Sequence, residues 1–359
     1  FPDSVVSRFI NKASENGIDV FRIFDALNDI NNLEFSIKQV KENSKHAQGA
    51  MAYTISPVHK IDYWLDLAKR LEDLGVDSIA IKDMSGILKP YVAFEMISRL
   101  KEIISVPIHM QTHATAGLST ATNIKAIEAG IDNIDTSISS MSLTYGHSPT
   151  ESIVSSLEDT ERSTELDLYE LQKIASYFKQ VRSKYSEFEG SLKGVDTQML
   201  SSQVPGGMLS NLESQLKELN KIDLFDDVIK EIPKVRKDLG YPPLVTPVSQ
   251  IVGAQAMANV SENCAYKTLS KETINLVTGH YGKLPGRIND DLLELAEKNQ
   301  DTISVRPADL IKDDLEEIKE DLRNFCSQNN LKDYSEQEEY LLCFIQFPYS
   351  TTDFLKGLK

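Results

Sequence analysis

Ser78-Ile79-Ala80-Ile81-Lys82-Asp83-Met84-Ser85-Gly86-Ile87-Leu88-Lys89-Pro90 is an apolar run that stops abruptly on two charges. Ile79 to Ile81 has the pattern of a strand buried on both faces of a parallel sheet, and Lys82 and Asp83 mark where it emerges. Ser85 and Gly86 make a turn, and Pro90 suits a helix start because its missing N–H is not needed there. In α/β barrels the reactive groups stand at the carboxyl ends of the strands. This stretch alone leaves Lys82 open between a surface lysine paired with an acid and an amine at a barrel mouth.

The same punctuation recurs outward from it. Gly17-Ile18-Asp19, Gly75-Val76-Asp77 and Gly130-Ile131-Asp132 each close a helix and open a strand. With Gly49–Thr54 and Val106–His113 they predict five strands, centred near residues 21, 52, 79, 109 and 135. Helices are expected over 2–16, 29–44, 58–74, 90–104 and 118–129. The spacing is close to the ~30 residues of a βα unit. An open doubly wound sheet needs only five strands, but no G-x-G-x-x-G loop supports the dinucleotide-binding version. The repeat favours the other α/β architecture, a (β/α)8 TIM-type barrel, with about five units visible and the first three expected before Phe1.

After residue 150 the strand pattern stops, which divides the chain into a barrel part, 1–150, and a helical extension, 151–359. A long amphipathic helix is expected over 166–185 and an irregular stretch over 188–211. Helices are expected over 211–220, 224–239, 248–262, 269–280 and 288–299, with a further tract from Arg306 and a last helix over 336–346. No long flexible linker intervenes, so the helical part should pack on the barrel mouth.

Composition narrows the function classes. A net charge of −16 with no basic stripe argues against a nucleic-acid partner. No apolar run approaches the ~18 residues of a membrane helix. Three scattered cysteines without a C-x-x-C pair fit a reducing cytoplasm better than a disulfide framework.

The strand ends offer Asp25, Thr54, Lys82 with Asp83, Gln111 with His113, and Thr136. His109, Gln111 and His113 alternate and so share one face. Two imidazoles and an amide beside a lysine suggest a site rather than a packed core. A desolvated lysine can form a Schiff base, act as a base, or take up carbon dioxide as an anionic carbamate, and only the carbamate is a metal ligand. Asp25 is open between an ion pair with Arg22 and a helix cap. His147, in a Gly-rich loop, is open between a turn residue and a site residue.

Several longer motifs carry a resemblance. They are Phe21-Arg22-Ile23-Phe24-Asp25-Ala26-Leu27-Asn28, Ile81-Lys82-Asp83-Met84, Ser139-Ser140-Met141-Ser142, Tyr145-Gly146-His147, Pro205 to Leu212, Pro243-Leu244-Val245-Thr246-Pro247, Gln250-Ile251-Val252-Gly253 and Arg306-Pro307-Ala308-Asp309. In this order they resemble the carboxyltransferase component of biotin-dependent enzymes: the oxaloacetate decarboxylase alpha subunit, the B subunit of pyruvate carboxylase and the transcarboxylase 5S subunit. The resemblance implies a barrel capped by a helical funnel, with pyruvate or oxaloacetate as substrate. It implies a divalent metal of the zinc, manganese or cobalt type, held by a carboxylated lysine, two histidines and an aspartate. Lys82 matches that lysine and His113 the second histidine, while Gln111 stands where the first should be, a weaker ligand than imidazole. Thr144 is the nearest match to the family's proton-shuttling threonine. Asp25, Pro205, Gly206 and Gly207 fall in the substrate and biotin funnel, although the 205–212 segment also reads as a glycine-rich structural turn.

The family's metal-binding aspartate, and the glutamine and arginine that hold the keto acid, belong to the first three strands. About a hundred residues are therefore expected before Phe1, if closure needs three more βα units. Without them the chain should be a poor catalyst. No Ala-Met-Lys-Met biotin-attachment stretch is present, so biotin must come from a separate carrier domain or protein. The family tends to dimerise, which implies a homodimer, cytoplasmic or peripheral to a membrane-bound decarboxylase complex. Two rival readings are a non-catalytic scaffold fragment and a metal-dependent aldol-type lyase or synthase barrel.

Overall fold

Five short strands, each followed by a helix, build the first half of the chain in a computed structural model that describes residues 1–189, 192–204 and 206–357. The order is α1 (Asp3–Glu15), β1 (Val20–Phe24), α2 (Ile30–Glu42), β2 (His46–Ala52), α3 (Ile61–Asp73), β3 (Ser78–Asp83), α4 (Pro90–Ile103), β4 (Ile108–Thr112), α5 (Ser119–Glu128), β5 (Asn133–Ile134) and α6 (Thr150–Leu157). The strands pair in parallel, in sequence order from β1 to β5. That is the arc of a (β/α) barrel.

Alternation divides the sheet into two faces. Met51, Ile79, Ile81, Ile108 and Met110 pack under the helices, in one core with Leu67, Leu71, Met96, Ile97 and Ile153. Each such side chain contributes about 1.5–3 kcal/mol on burial. The opposite face carries Arg22, Gln48, Ser78, Lys82, His109, Gln111 and His113. β2 begins at His46, three residues before the expected start, because its ladder with β1 already pairs Val20 with His46. Its small residues lack the branched signature that marks β3. Gly49 has a packing reason: a Cβ there would lie 3.0 Å from both Leu71 and Val76.

The second half is helical: α7 (Leu168–Lys184), α8 (Met199–Ser202), α9 (Gly206–Glu218), α10 (Phe225–Asp238), α11 (Val248–Ser261), α12 (Lys271–Val277), α13 (Asp290–Glu297), α14 (Leu315–Gln328), α15 (Glu338–Gln346) and α16 (Pro348–Gly357). The stretch expected to be irregular over 188–211 contains α8 and the start of α9. A Gly-Gly opening conceals a helix start, because glycine is a poor helix former. α16 is concealed in a similar way: Pro348 looks like a stop but occupies a first helical position, where its φ is already suitable.

The helical half sits over the carboxyl ends of the strands. Its core, built on Val228, Ile232, Val248 and Val252, includes Leu27 from the β1–α2 loop. Arg236 of α10 reaches the end of β2, where it donates to Thr54 Oγ1 at 2.7 Å and Ile55 O at 3.2 Å. The last helices fold back on the first: Val5 of α1 is buried with Leu322, Leu341 and Leu355.

Candidate active site

The strand register places the reactive groups. Lys82 pairs with Gln111 across β3 and β4, so both side chains stand on the open face, with His113 one step further on. Asp83 alternates to the helix side, is fully buried, and accepts from Ile87 N at 3.0 Å, Leu88 N at 2.8 Å and Thr112 Oγ1 at 2.9 Å. It builds the β3–α4 turn and does not reach the mouth. Burial pushes its carboxyl up to about 6, against the pull of those hydrogen bonds. The turn also needs Gly86, at φ +65°, since a Cβ there would lie 2.3 Å from the carbonyl oxygen of His113. The loop from β3 therefore rests on the residue that carries the imidazole.

Lys82 is in no ion pair among the described residues, and its Nζ lies 4.5 Å from the centroid of the Phe24 ring. Burial lowers its pKa, the nearby Arg22 charge lowers it further, and Asp135 partly offsets both. His113 is likewise lowered, first by burial and then by the charges of His147 and Lys82, so the neutral ring is favoured. Its Nδ1 lies 2.7 Å from Tyr145 O. A carbonyl only accepts, so Nδ1 carries the proton and Nε2 keeps its lone pair. Gln111 Nε2 lies 3.4 Å from that Nε2, and Gln111 Oε1 is buried without a hydrogen-bond partner among the described residues.

Deeper on the same face lies a polar layer that sequence reasoning missed. Arg22 NH1 donates to Asp135 Oδ2 at 2.6 Å, and Arg22 Nε donates to Gln48 Oε1 at 2.5 Å. His109 Nε2 is 2.5 Å from Asp135 Oδ1, and Gln48 Nε2 donates to Ser78 Oγ at 3.0 Å. The layer thus draws on all five strand segments. Burial would raise the Asp135 carboxyl, but hydrogen bonds from His109 and Arg22 outweigh it and hold the group well below the usual carboxylate range. His109 is committed here and cannot make up for Gln111. The signal was available in Phe21-Arg22-Ile23-Phe24: strand alternation puts Arg22, not Asp25, on the open face.

Asp25 takes neither alternative: Arg22 pairs with Asp135, and the N-cap of α2 is Asp29, whose side chain accepts from Asn31 N. Asp25 accepts from Leu27 N at 2.9 Å, Asp29 N at 3.1 Å and Asn32 Nδ2 at 3.1 Å, and so shapes the β1–α2 loop. Thr144 and Leu143 are half-buried and exposed respectively, at φ +49° and +62°. Left-handed backbone costs a non-glycine residue about 1–2 kcal/mol, and two in succession mark a loop held by its surroundings. Pro205 lies outside the described residues, and Gly206 and Gly207 open α9. A cavity of about 440 Å³ lies in the helical half, lined by Met208, Leu212, Val245, Ser249 and Gln250, and reaches the barrel at Met84.

Among the described residues no three His, Cys, Asp or Glu side chains come together as a metal site. The donors that do face the mouth fit part of a coordination sphere: His113 Nε2 with its tautomer fixed, the orphaned Gln111 Oε1, and Lys82 once its amine becomes a carbamate.

A lysine in no ion pair among the described residues, beside a tethered imidazole at the carboxyl ends of parallel strands and beneath a helical cap, defines a (β/α)-barrel-type site. Comparison with known proteins makes this specific. An HMGL-like family matches residues 12–177 and a conserved carboxylase domain matches 199–359. The B subunit of pyruvate carboxylase from Methanocaldococcus jannaschii is 48% identical over 99% of this chain, which spans 62% of that protein. The methylmalonyl-CoA carboxyltransferase 5S subunit of Propionibacterium freudenreichii subsp. shermanii is 44% identical over 97% of the chain and 68% of its own length. The carboxyl transferase domain of Rhizobium etli pyruvate carboxylase, solved with pyruvate, superposes with a TM-score of 0.91 at 30% identity, over 99% of this chain and 61% of that one. The chain belongs to the carboxyltransferase family of biotin-dependent enzymes.

Proposed function

We propose that this chain carries out biotin-dependent carboxyl transfer between carboxybiotin and pyruvate or oxaloacetate. The observation that carries the reading is the placement of Lys82, His113 and Arg22 on one open face at the strand ends. The match over 199–359 to a conserved carboxylase domain supports it over an aldol-type lyase, which needs no entry for biotin.

Arg22 is the guanidinium of this face; its NH1 and NH2 donate to Asp135 and its Nε to Gln48, so it orders the polar layer and adds positive charge beneath the mouth. The lowered pKa of Lys82 leaves more neutral amine to bond the carbon of CO2, releasing one proton and giving the carbamate anion. That carbamate, with His113 Nε2 and Gln111 Oε1, would hold a divalent ion. When bound, the ion supplies Lewis-acid polarisation of the keto oxygen. Thr144 carries a proton between the substrate methyl carbon and biotin. The cavity beside Met84 has the size of a small-ligand pocket and would admit the ring from the carrier.

The reading includes a separate biotin carrier domain or protein, a homodimer, and a cytoplasmic setting, free or peripheral to a membrane-bound decarboxylase. Among the described residues no helix is long and apolar enough to cross a membrane.

Isotope exchange tests the reading. Labelled pyruvate, unlabelled oxaloacetate and biotin are incubated with the full-length protein. Label should enter oxaloacetate only with biotin, and exchange should fall by at least ~1,000-fold in Lys82→Met. Exchange that persists without biotin, or is unchanged in that variant, sinks the proposal.

A further inference from the structure

The β4 end and the β5–α6 loop are locked together by two histidines in a reciprocal way. His113 Nδ1 lies 2.7 Å from Tyr145 O, in the loop that carries His147. His147 Nδ1 lies 3.1 Å from Thr112 O, on the strand that leads into His113. Ala114 N also donates to Gly146 O at 2.8 Å. Both acceptors are carbonyls, so both rings must carry a proton on Nδ1, and in the neutral form of each it is Nε2 that holds the lone pair. A histidine whose other nitrogen is tied to a carbonyl has the arrangement found in metal-ligating imidazoles.

The separation of the rings agrees. Their centroids are 4.7 Å apart, with planes at 51°. Two imidazoles bound through nitrogen to one ion at ~2.1 Å have centroids roughly 5 Å apart at tetrahedral or octahedral angles. A second, independent observation lies beside them. Gln111 is 8% exposed and its Oε1 has no hydrogen-bond partner among the described residues, although its Nε2 lies 3.4 Å from His113 Nε2. A buried carbonyl oxygen without a donor costs about 1–3 kcal/mol unless something positive meets it.

We propose that His113 and His147 are the two imidazole ligands of a divalent-cation site, with Gln111 Oε1 as its neighbouring oxygen donor. His147 then supplies the second imidazole that Gln111 does not. The inference rests on the carboxyl-transfer reading only in expecting a divalent ion at this mouth. Its content is which side chains hold the ion.

The test needs no turnover. The full chain is stripped of metal and titrated with cobalt(II) alone, following the visible ligand-field bands, the affinity, and the number of imidazoles by X-ray absorption. The native chain should show two. His147→Asn retains a donor for Thr112 O but removes Nε2, so it should show one, with affinity reduced at least ~10-fold. Adding Gln111→His to His147→Asn should restore the second imidazole and most of the affinity. If His147→Asn binds cobalt with unchanged affinity and spectrum, this assignment is overturned and the carboxyl-transfer reading stands. If the native chain binds no divalent ion, the metal part of that reading falls together with this assignment.

Discussion

His59 shows how much a single residue's surroundings decide. It stacks on Trp64 with centroids 5.4 Å apart, and its Nε2 is buried without a partner among the described residues. Burial, helped by the charge of Arg236, lowers its pKa to about 3. The unfolded chain protonates this ring below about pH 6.5 while the folded chain keeps it neutral, so acid favours unfolding. His59 should therefore cost about 2 kcal/mol of stability between pH 7 and pH 5. Denaturant unfolding at the two pH values checks this: His59→Phe should show a correspondingly smaller loss, and an equal loss would refute it. Nothing in Pro57-Val58-His59-Lys60 announced this. The packing partner Trp64 falls in the helix expected over 58–74, but the charge acting on the ring comes from Arg236, far along the chain. Lys82 was more legible because its signal is local: an apolar run that ends on a charge. Arg22 and Asp135 were not, since 113 positions separate the two ends of that ion pair.

At the scale of elements, the five βα units could be read because glycine stops and apolar runs repeat within the reach of one strand and helix. β5 shortened to two paired residues, and α6, expected in no unit, buries Ile153 in the barrel core. The joint between halves depends on one side chain of α10. The Arg236 guanidinium is buried without a carboxylate partner among the described residues, and burial lowers its pKa to about 10, still charged at neutral pH. It donates to Pro242 O at 2.9 Å and Gln203 Oε1 at 2.7 Å as well as to Thr54 and Ile55. Gln203 is itself left-handed at φ +58° and lies just before α9. Arg236→Met would strand these acceptors, two on the barrel and two on the helical half. The expected loss is about 3–5 kcal/mol. Arg236→Lys should recover only part of it, since an ammonium cannot present the same fork. Denaturant midpoints of the two variants provide the check, and a loss below ~1 kcal/mol for the methionine would show that Arg236 is no latch.

At the scale of the molecule, a helical half joined to the strand ends through Leu27 and Arg236 holds a cavity of about 440 Å³ that reaches the barrel at Met84. The motifs from Pro205 to Asp309 indicated that half; the return of α14 to α16 onto α1 did not show in the sequence, because Arg8 and Glu338 meet across 330 positions. In the proposed reading Lys82, in no ion pair among the described residues, holds a carboxyl group beside His113. Carbon NMR of the protein equilibrated with isotope-enriched bicarbonate and a divalent ion tests this most directly. One protein-bound carbamate signal is expected, absent in Lys82→Met and retained when surface lysines are replaced. No such signal in the native protein, or one that survives Lys82→Met, would contradict the account.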